Sequence, residues 1–174
     1  MPEPGGDTPP DTCLAEAHPV GFEGMKLGHR SPCEPAALRA ALAPFGPTCV
    51  SGWYSAALLA RDLGEEPAQL RPHFDLLRAM GSEELVFAET SNAIHGGRTV
   101  PPARRPVLDA ASSAASGARL TAVAEATERE GVWLVRHQHM GTIVQDEHDI
   151  EALTLRLADA ALESLHAGQA VRLA

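Results

Sequence analysis

A chain of 174 residues, 44% of them hydrophobic, can bury the core of one globular domain, yet it falls short of the about 250 residues of a complete (β/α)8 barrel. Its 23 acidic against 14 basic side chains leave a formal net charge of -9, which argues against a nucleic-acid backbone or an anionic membrane as partner and for a small polar or neutral substrate. No apolar run nears the about 18 residues a membrane span needs, the start of the chain has neither a basic stretch nor an apolar signal core, and Cys13, Cys33 and Cys49 lack CxxC spacing, so we expect reduced thiols in the cytoplasm.

Residues 1–10 are rich in Pro and Gly and are expected to lack regular structure, with Asp11 or Thr12 capping a short helix over 13–17. A first strand is predicted over 20–28, then a helix from Pro35 with Leu38, Leu42 and Phe45 on one stripe and Gly46 as its stop. A second strand over 48–53 leads through Tyr54 and Ser55 into a helical region carrying Leu70, Phe74 and Leu77 and ending at Gly81; Pro67 and Pro72 predict that it is broken or begins late. A third strand covers 84–89. The loop 90–116, with Gly96-Gly97 and Pro101-Pro102, has the length that in compact domains is more often functional than accidental. A helix over 118–130, with Leu120, Val123 and Ala124 apolar, hands over at Gly131 to a fourth strand over 132–139, and Asp146 caps a last helix bearing Ile150, Leu153 and Leu157. Strands alternating with helices at about 30 to 45 residues per unit imply a parallel sheet, and right-handed crossovers put all strand C-termini at one end. Gly28, Trp53, Glu89 and His139 are expected to share that end.

The chemistry concentrates in residues 134–142, LVRHQHMGT. Strand alternation sends Val135, His137 and His139 one way and Leu134, Arg136 and Gln138 the other, so two imidazoles sit side by side where ligands collect in α/β proteins. A lone histidine there is more often a satisfied core residue; the pair followed by Gly-Thr tilts the balance. Glu89 ends an apolar strand, where a carboxylate is costly unless paired, exposed at a rim or bound to a metal. Behind it, Ser91, Asn92 and His95 offer hydroxyl, amide and imidazole groups suited to a polyol, and Trp53 is a weaker signal that packing alone could explain. A carboxylate and imidazoles at one end can serve as general acid and base or hold a divalent metal that polarises a carbonyl; either suits enolisation next to a ketone.

The strings GFEGMKLGH, LRAALAPFG, VSGWYSAALL, LRPHFDLLRAMGS, VFAETSNAIHG and HQHMGTIVQDEHDIEAL resemble the myo-inosose-2 dehydratases (inosose dehydratases) of inositol catabolism, in the xylose isomerase-like TIM barrel superfamily, from about residue 1 to 153. That resemblance implies a (β/α)8 fold of which this chain would hold about four parallel strands, equivalent to strands 2 to 5, in one incomplete domain over 1–174. It implies a divalent metal, manganese or cobalt, and removal of water from 2-keto-myo-inositol to give a diketone. Carried over by position, it assigns Glu89, His137 and His139 to catalysis and Ser51, Trp53, Asn92, His95 and Thr142 to substrate binding. It leaves open which imidazole is acid and which base.

Several positions depart from the family pattern. Lys26 stands where Glu is usual, Gln138 replaces the middle residue of a His-His-His run, and Arg136 replaces an aromatic on the helix-covered face, where an unpaired guanidinium would cost several kcal/mol. An Asn-Pro-x-x-Trp motif expected upstream and an Asp-Thr-Gly-His motif expected downstream are absent, most family metal ligands with them, and residues 155–174 match nothing in the pattern, so the chain reads as truncated at both ends. Three functions are therefore weighed: an inosose dehydratase, a sugar isomerase or epimerase of the same superfamily, and a barrel fragment without catalysis that self-associates through exposed sheet edges.

Overall fold

The computed structural model describes residues 7–61, 64–97 and 99–150. Its elements run α1 (Pro10–Ala17), a 3-10 turn (His18–Val20), β1 (Gly24–Leu27), α2 (Pro35–Leu42), β2 (Thr48–Ala56), α3 (Glu65–Met80), β3 (Glu84–Glu89), a second 3-10 turn (Pro102–Arg104), α4 (Ala110–Glu128) and β4 (Trp133–Arg136). The strands form one four-stranded sheet in the order β1-β2-β3-β4. Every neighbouring pair is parallel. Crossover helices between consecutive parallel strands lie on one face, so this is the parallel sheet that the alternating pattern predicts, arranged as the partial (β/α) barrel that the family resemblance implies.

Helix spacing decides which face is dry. Leu38 and Leu42 of α2, Leu70, Phe74 and Leu77 of α3, and Leu120 and Val123 of α4 meet Cys49, Leu85 and Phe87 from the sheet, and Val132 just before β4, in one apolar cluster. Gly52 of β2 lies so close beneath α3 that a β-carbon there would stand 2.7 Å from the His73 ring. The opposite face is open: Val50, Trp133 and Val135 are 45%, 52% and 42% exposed. Among the described residues β1 pairs only with β2 and β4 only with β3, which leaves both edges bare. No helix among the described residues is long and apolar enough to cross a membrane. Cys13, Cys33 and Cys49 are free thiols.

Several boundaries differ from expectation, each for a local reason. Pro19 and Gly21, the latter at φ 88°, turn the chain before β1, so that strand begins at Gly24 and not at residue 20. α3 runs unbroken from Glu65 with Pro72 inside it: Pro67 falls in the first turn, and burial of Leu70, Phe74 and Leu77 outweighs the about 3 kcal/mol that an interior proline costs. α4 starts at Ala110, eight residues earlier than predicted, because the Asp109 side chain accepts the Ser112 N–H at 2.8 Å and caps a run of small residues the sequence reading had given to the loop. β4 ends at Arg136, three residues sooner than predicted; a last ladder bond from His137 N–H to the Phe87 carbonyl, 2.9 Å, follows it. Asp146 caps a helical turn at 147–150 as expected, its carboxylate accepting the Asp149 N–H at 3.1 Å. Leu153, Leu157 and the segment 155–174 lie outside the described residues.

Candidate active site

On the open face of the sheet, at the C-terminal ends of its strands, an aromatic and imidazole cluster forms. The Trp53 ring lies 4.9 Å from that of His137 and 5.5 Å from that of His139, both edge to face. His139 in turn meets His137 at 5.9 Å and His95 at 5.0 Å. The placement follows from alternation: Trp53 and Ser55 share the open face of β2, where the indole N–H donates to the Ser55 hydroxyl at 2.9 Å, and His137 continues the face that Val135 presents. Lys26 from β1 joins this face, its ammonium 5.5 Å from the centre of the Trp53 ring.

The backbone fixes the histidines. After β4 the chain turns tightly: the Thr142 hydroxyl donates to the His139 carbonyl at 2.8 Å, and the His139 N–H donates to the Val144 carbonyl at 3.2 Å. Gly141, at φ 79°, approaches the loop after β3 so closely that a β-carbon there would lie 3.0 Å from the His95 nitrogen. The Ile94 N–H donates to the Gly141 carbonyl at 2.8 Å, tying the two loops together. Nδ1 of His139 is 2.9 Å from the Met140 carbonyl, which makes Nδ1 the protonated nitrogen and leaves Nε2 for chemistry. Partial burial, and then the positive charges of His139, Lys26 and Arg136, hold the His137 imidazole below its ordinary value.

Glu89 shares the end of the sheet with these groups but not their face. It alternates with Leu85 and Phe87 toward the helices, is 6% exposed, and lines a cavity between β3, β4 and α4 together with Arg136 and Asp149. One carboxylate oxygen accepts the Leu58 N–H and the other the Ser91 N–H, each at 2.6 Å. Burial pushes its carboxyl above the ordinary range, against the opposing pull of those donors. Arg136 has no direct ion pair among the described residues; burial lowers its guanidinium's hold on the proton, and the charges of Asp149 and Glu89 offset part of that cost. Arg105, from the long loop, clamps Asp146 and the cavity-lining Asp149 at 2.7 and 2.8 Å.

The remaining expected site residues divide. Ser51 is buried in mid-strand, opposite Lys26 and Glu84, because β2 continues to Ala56; it does not stand at a strand end. Thr142 is 2% exposed with its hydroxyl spent on the turn. Asn92 is exposed at φ 58°, a left-handed position that Asn tolerates, and His95 faces the cluster. Lys26 and Ser55 were not singled out as site residues, although strand alternation from Trp53 would have found Ser55.

The donor set does not fit a divalent metal. Among the described residues no three His, Cys, Asp or Glu side chains converge on a point that could hold one. His95 and His139 meet edge to face, His137 and His139 are tilted by 46° with their centroids 5.9 Å apart, and both oxygens of Glu89 are engaged by backbone N–H groups.

No family profile matches the chain. Rhizopine catabolism protein MocC of Rhizobium meliloti is 39% identical over 153 residues, which are 88% of this chain and 47% of that protein. Inosose dehydratase of Geobacillus thermodenitrificans is 30% identical over 154 residues, 88% of this chain and 52% of its own length. That of Bacillus thuringiensis is 30% identical over 166 residues, 95% of this chain and 55% of the relative. The chain thus spans about half the length of the curated relatives it matches. Among solved structures, a xylose isomerase-like TIM barrel protein from Mycobacterium smegmatis in complex with magnesium superposes with a TM-score of 0.58 at 14% identity, over 83% of this chain and 51% of that one. The 3-keto-D-glucoside 4-epimerase of E. coli, in its apo form, gives 0.58 at 13%, over 86% and 60%. Across most of its own length the chain is therefore a homologue of the inosose dehydratases and of MocC, folded as part of a xylose isomerase-like TIM barrel.

Proposed function

We propose that this chain carries the proton-transfer groups of a dehydratase acting on a small polyol ketone, 2-keto-myo-inositol in the first instance. The observation that carries the proposal is the joined set of Trp53, His95, His137 and His139 at the strand ends of a chain related to inosose dehydratases. His137, kept neutral, takes the proton from the carbon next to the ketone, and the C–H electron pair moves into an enolate. His139, whose Nδ1–H is bonded to the Met140 carbonyl, carries its exchangeable proton on Nε2 and gives it to the departing β-hydroxyl. The C–O bond breaks, water leaves, and the enol product tautomerises to a diketone. Trp53 supplies a flat apolar wall for the ring's C–H face, and His95 and Asn92, both exposed in the loop after β3, take the hydroxyls. Glu89 enters by bracing the loops, its oxygens holding Leu58 and Ser91. The free thiols fit a cytoplasmic setting.

The test is turnover of 2-keto-myo-inositol by the purified chain, with and without manganese or cobalt, followed by NMR of the product. His137→Ala and His139→Ala should each lower kcat by about 10²- to 10⁴-fold with the fold retained; unchanged turnover in both variants would remove them from the chemistry. The open sheet face favours a second function, in which the four strands act only when a longer barrel or a second copy covers Val50, Val135 and Trp133. In that case the 174-residue chain alone is inactive and associates, which light scattering after gel filtration detects.

A further inference from the structure

Lys26 is the one cationic side chain that a contact places on the face of the imidazole cluster, and among the described residues it has no ion-pair partner. It is exposed on β1, opposite Ser51, with its ammonium 5.5 Å from the Trp53 ring centre, while the same ring touches His137 at 4.9 Å. Glu23 precedes β1; Glu84, exposed at the start of β3, lies on the same face two strands away, in the register row of Lys26 and Ser51, and makes no ion pair with Lys26; Glu89 points to the helices; Arg136 lines the cavity on that side. The ammonium of Lys26 lies against the Trp53 indole, and its charge acts on the His137 imidazole.

We propose that Lys26 holds the oxygen of the substrate's ketone as proton abstraction turns it into an enolate, giving this chain a fixed positive charge where its described side chains assemble no metal site. The inference rests on the dehydratase proposal above and adds a substrate-binding group to it. The step is balanced: the C–H pair becomes the C=C bond of the enolate, the carbonyl π pair becomes a lone pair on oxygen, the proton goes to His137, and the ammonium donates a hydrogen bond to that oxygen without losing its proton. The charge of Lys26 also acts on His137, as one of the causes that keep its imidazole neutral and able to accept a proton.

Oxalate, a planar dianion with the shape of an enediolate, is the probe. Titration of the wild-type chain should show oxalate binding, with the His137 ring signals shifting in the NMR spectrum. Lys26→Met and Lys26→Gln should weaken it by about tenfold or more, Lys26→Arg should retain most of it, and the midpoint of His137 titration should rise in the uncharged variants. Wild-type chain that fails to bind oxalate, or Lys26→Met and Lys26→Gln chains that are folded by circular dichroism and bind it as tightly as wild type, would overturn the proposal. If 2-keto-myo-inositol is turned over and the Lys26 variants leave both kcat and oxalate binding unchanged, the dehydratase proposal stands and Lys26 falls. If oxalate binding depends on Lys26 while no dehydration occurs, the oxyanion site stands and the dehydratase proposal falls.

Discussion

The two faces of the sheet are made from the same four strands and do opposite work. The helix-covered face is closed by leucines and Phe87, all but dry, and even its carboxylate, Glu89, is consumed by backbone donors. The other face carries Trp53, Lys26 and the histidines beside exposed valines. Stability is concentrated on one side and reactive groups on the other, so substitutions in neighbouring residues of one strand should differ sharply in kind.

The largest difference is expected within β3 and β4. Phe87→Ala, at a fully buried position, should destabilise the chain by about 3 to 5 kcal/mol, whereas Val135→Ala on the open face should change it by less than about 0.5 kcal/mol. Urea unfolding measures both, and similar losses would mean that the open face is covered in solution. Next comes Glu89→Ala, which strips two buried N–H groups of their acceptor and Arg136 of a compensating charge; about 2 to 4 kcal/mol should be lost, with Glu89→Gln in between because it can accept only one of the two bonds. A Glu89→Ala chain that folds as stably as wild type but loses all turnover would return Glu89 to the reacting atoms.

The smallest effect is a pH dependence. Burial holds His73 and His137 below their ordinary value of 6.5, so below that pH the unfolded chain binds protons that the folded chain refuses. Their contribution is present above pH 6.5 and is lost as the pH falls through 6.5 toward the folded values. Glu89, raised, has the opposite sign: its contribution is present below its ordinary value of 4.5 and is lost as pH rises through its folded value. Comparing wild type with the His73→Gln, His137→Gln double variant between pH 7 and pH 5.5 isolates the histidines, and equal slopes would show that neither is held neutral by the fold.

Most of the covered face was legible in the sequence because helix spacing is a strong signal: Leu38 with Leu42, and Leu70 with Phe74 and Leu77, needed nothing else. The start of α4 was not, since an Ala/Ser run reads as loop until Asp109 is seen to cap it. The prolines of α3 misled in the other direction, because tertiary burial outweighs a local penalty. Alternation placed His137 on the same face as Val135, yet the same alternation applied to Leu85, Phe87 and Glu89 puts the carboxylate on the helix side. Grouping residues by the end of the sheet concealed that distinction of face. The strand expected over 48–53 runs three residues further, to Ala56, so Ser51 lies in mid-strand.

The bond from the Ile94 N–H to the Gly141 carbonyl joins the loop after β3 to the turn after β4 by main chain alone. His95 and His139 therefore keep their spacing whatever rotamers surround them, and neither loop can swing away without carrying the other. The Ile94 amide is thus a built-in reporter: its rate of hydrogen exchange reads how often the imidazole pair comes apart, at an atom that takes no part in the chemistry.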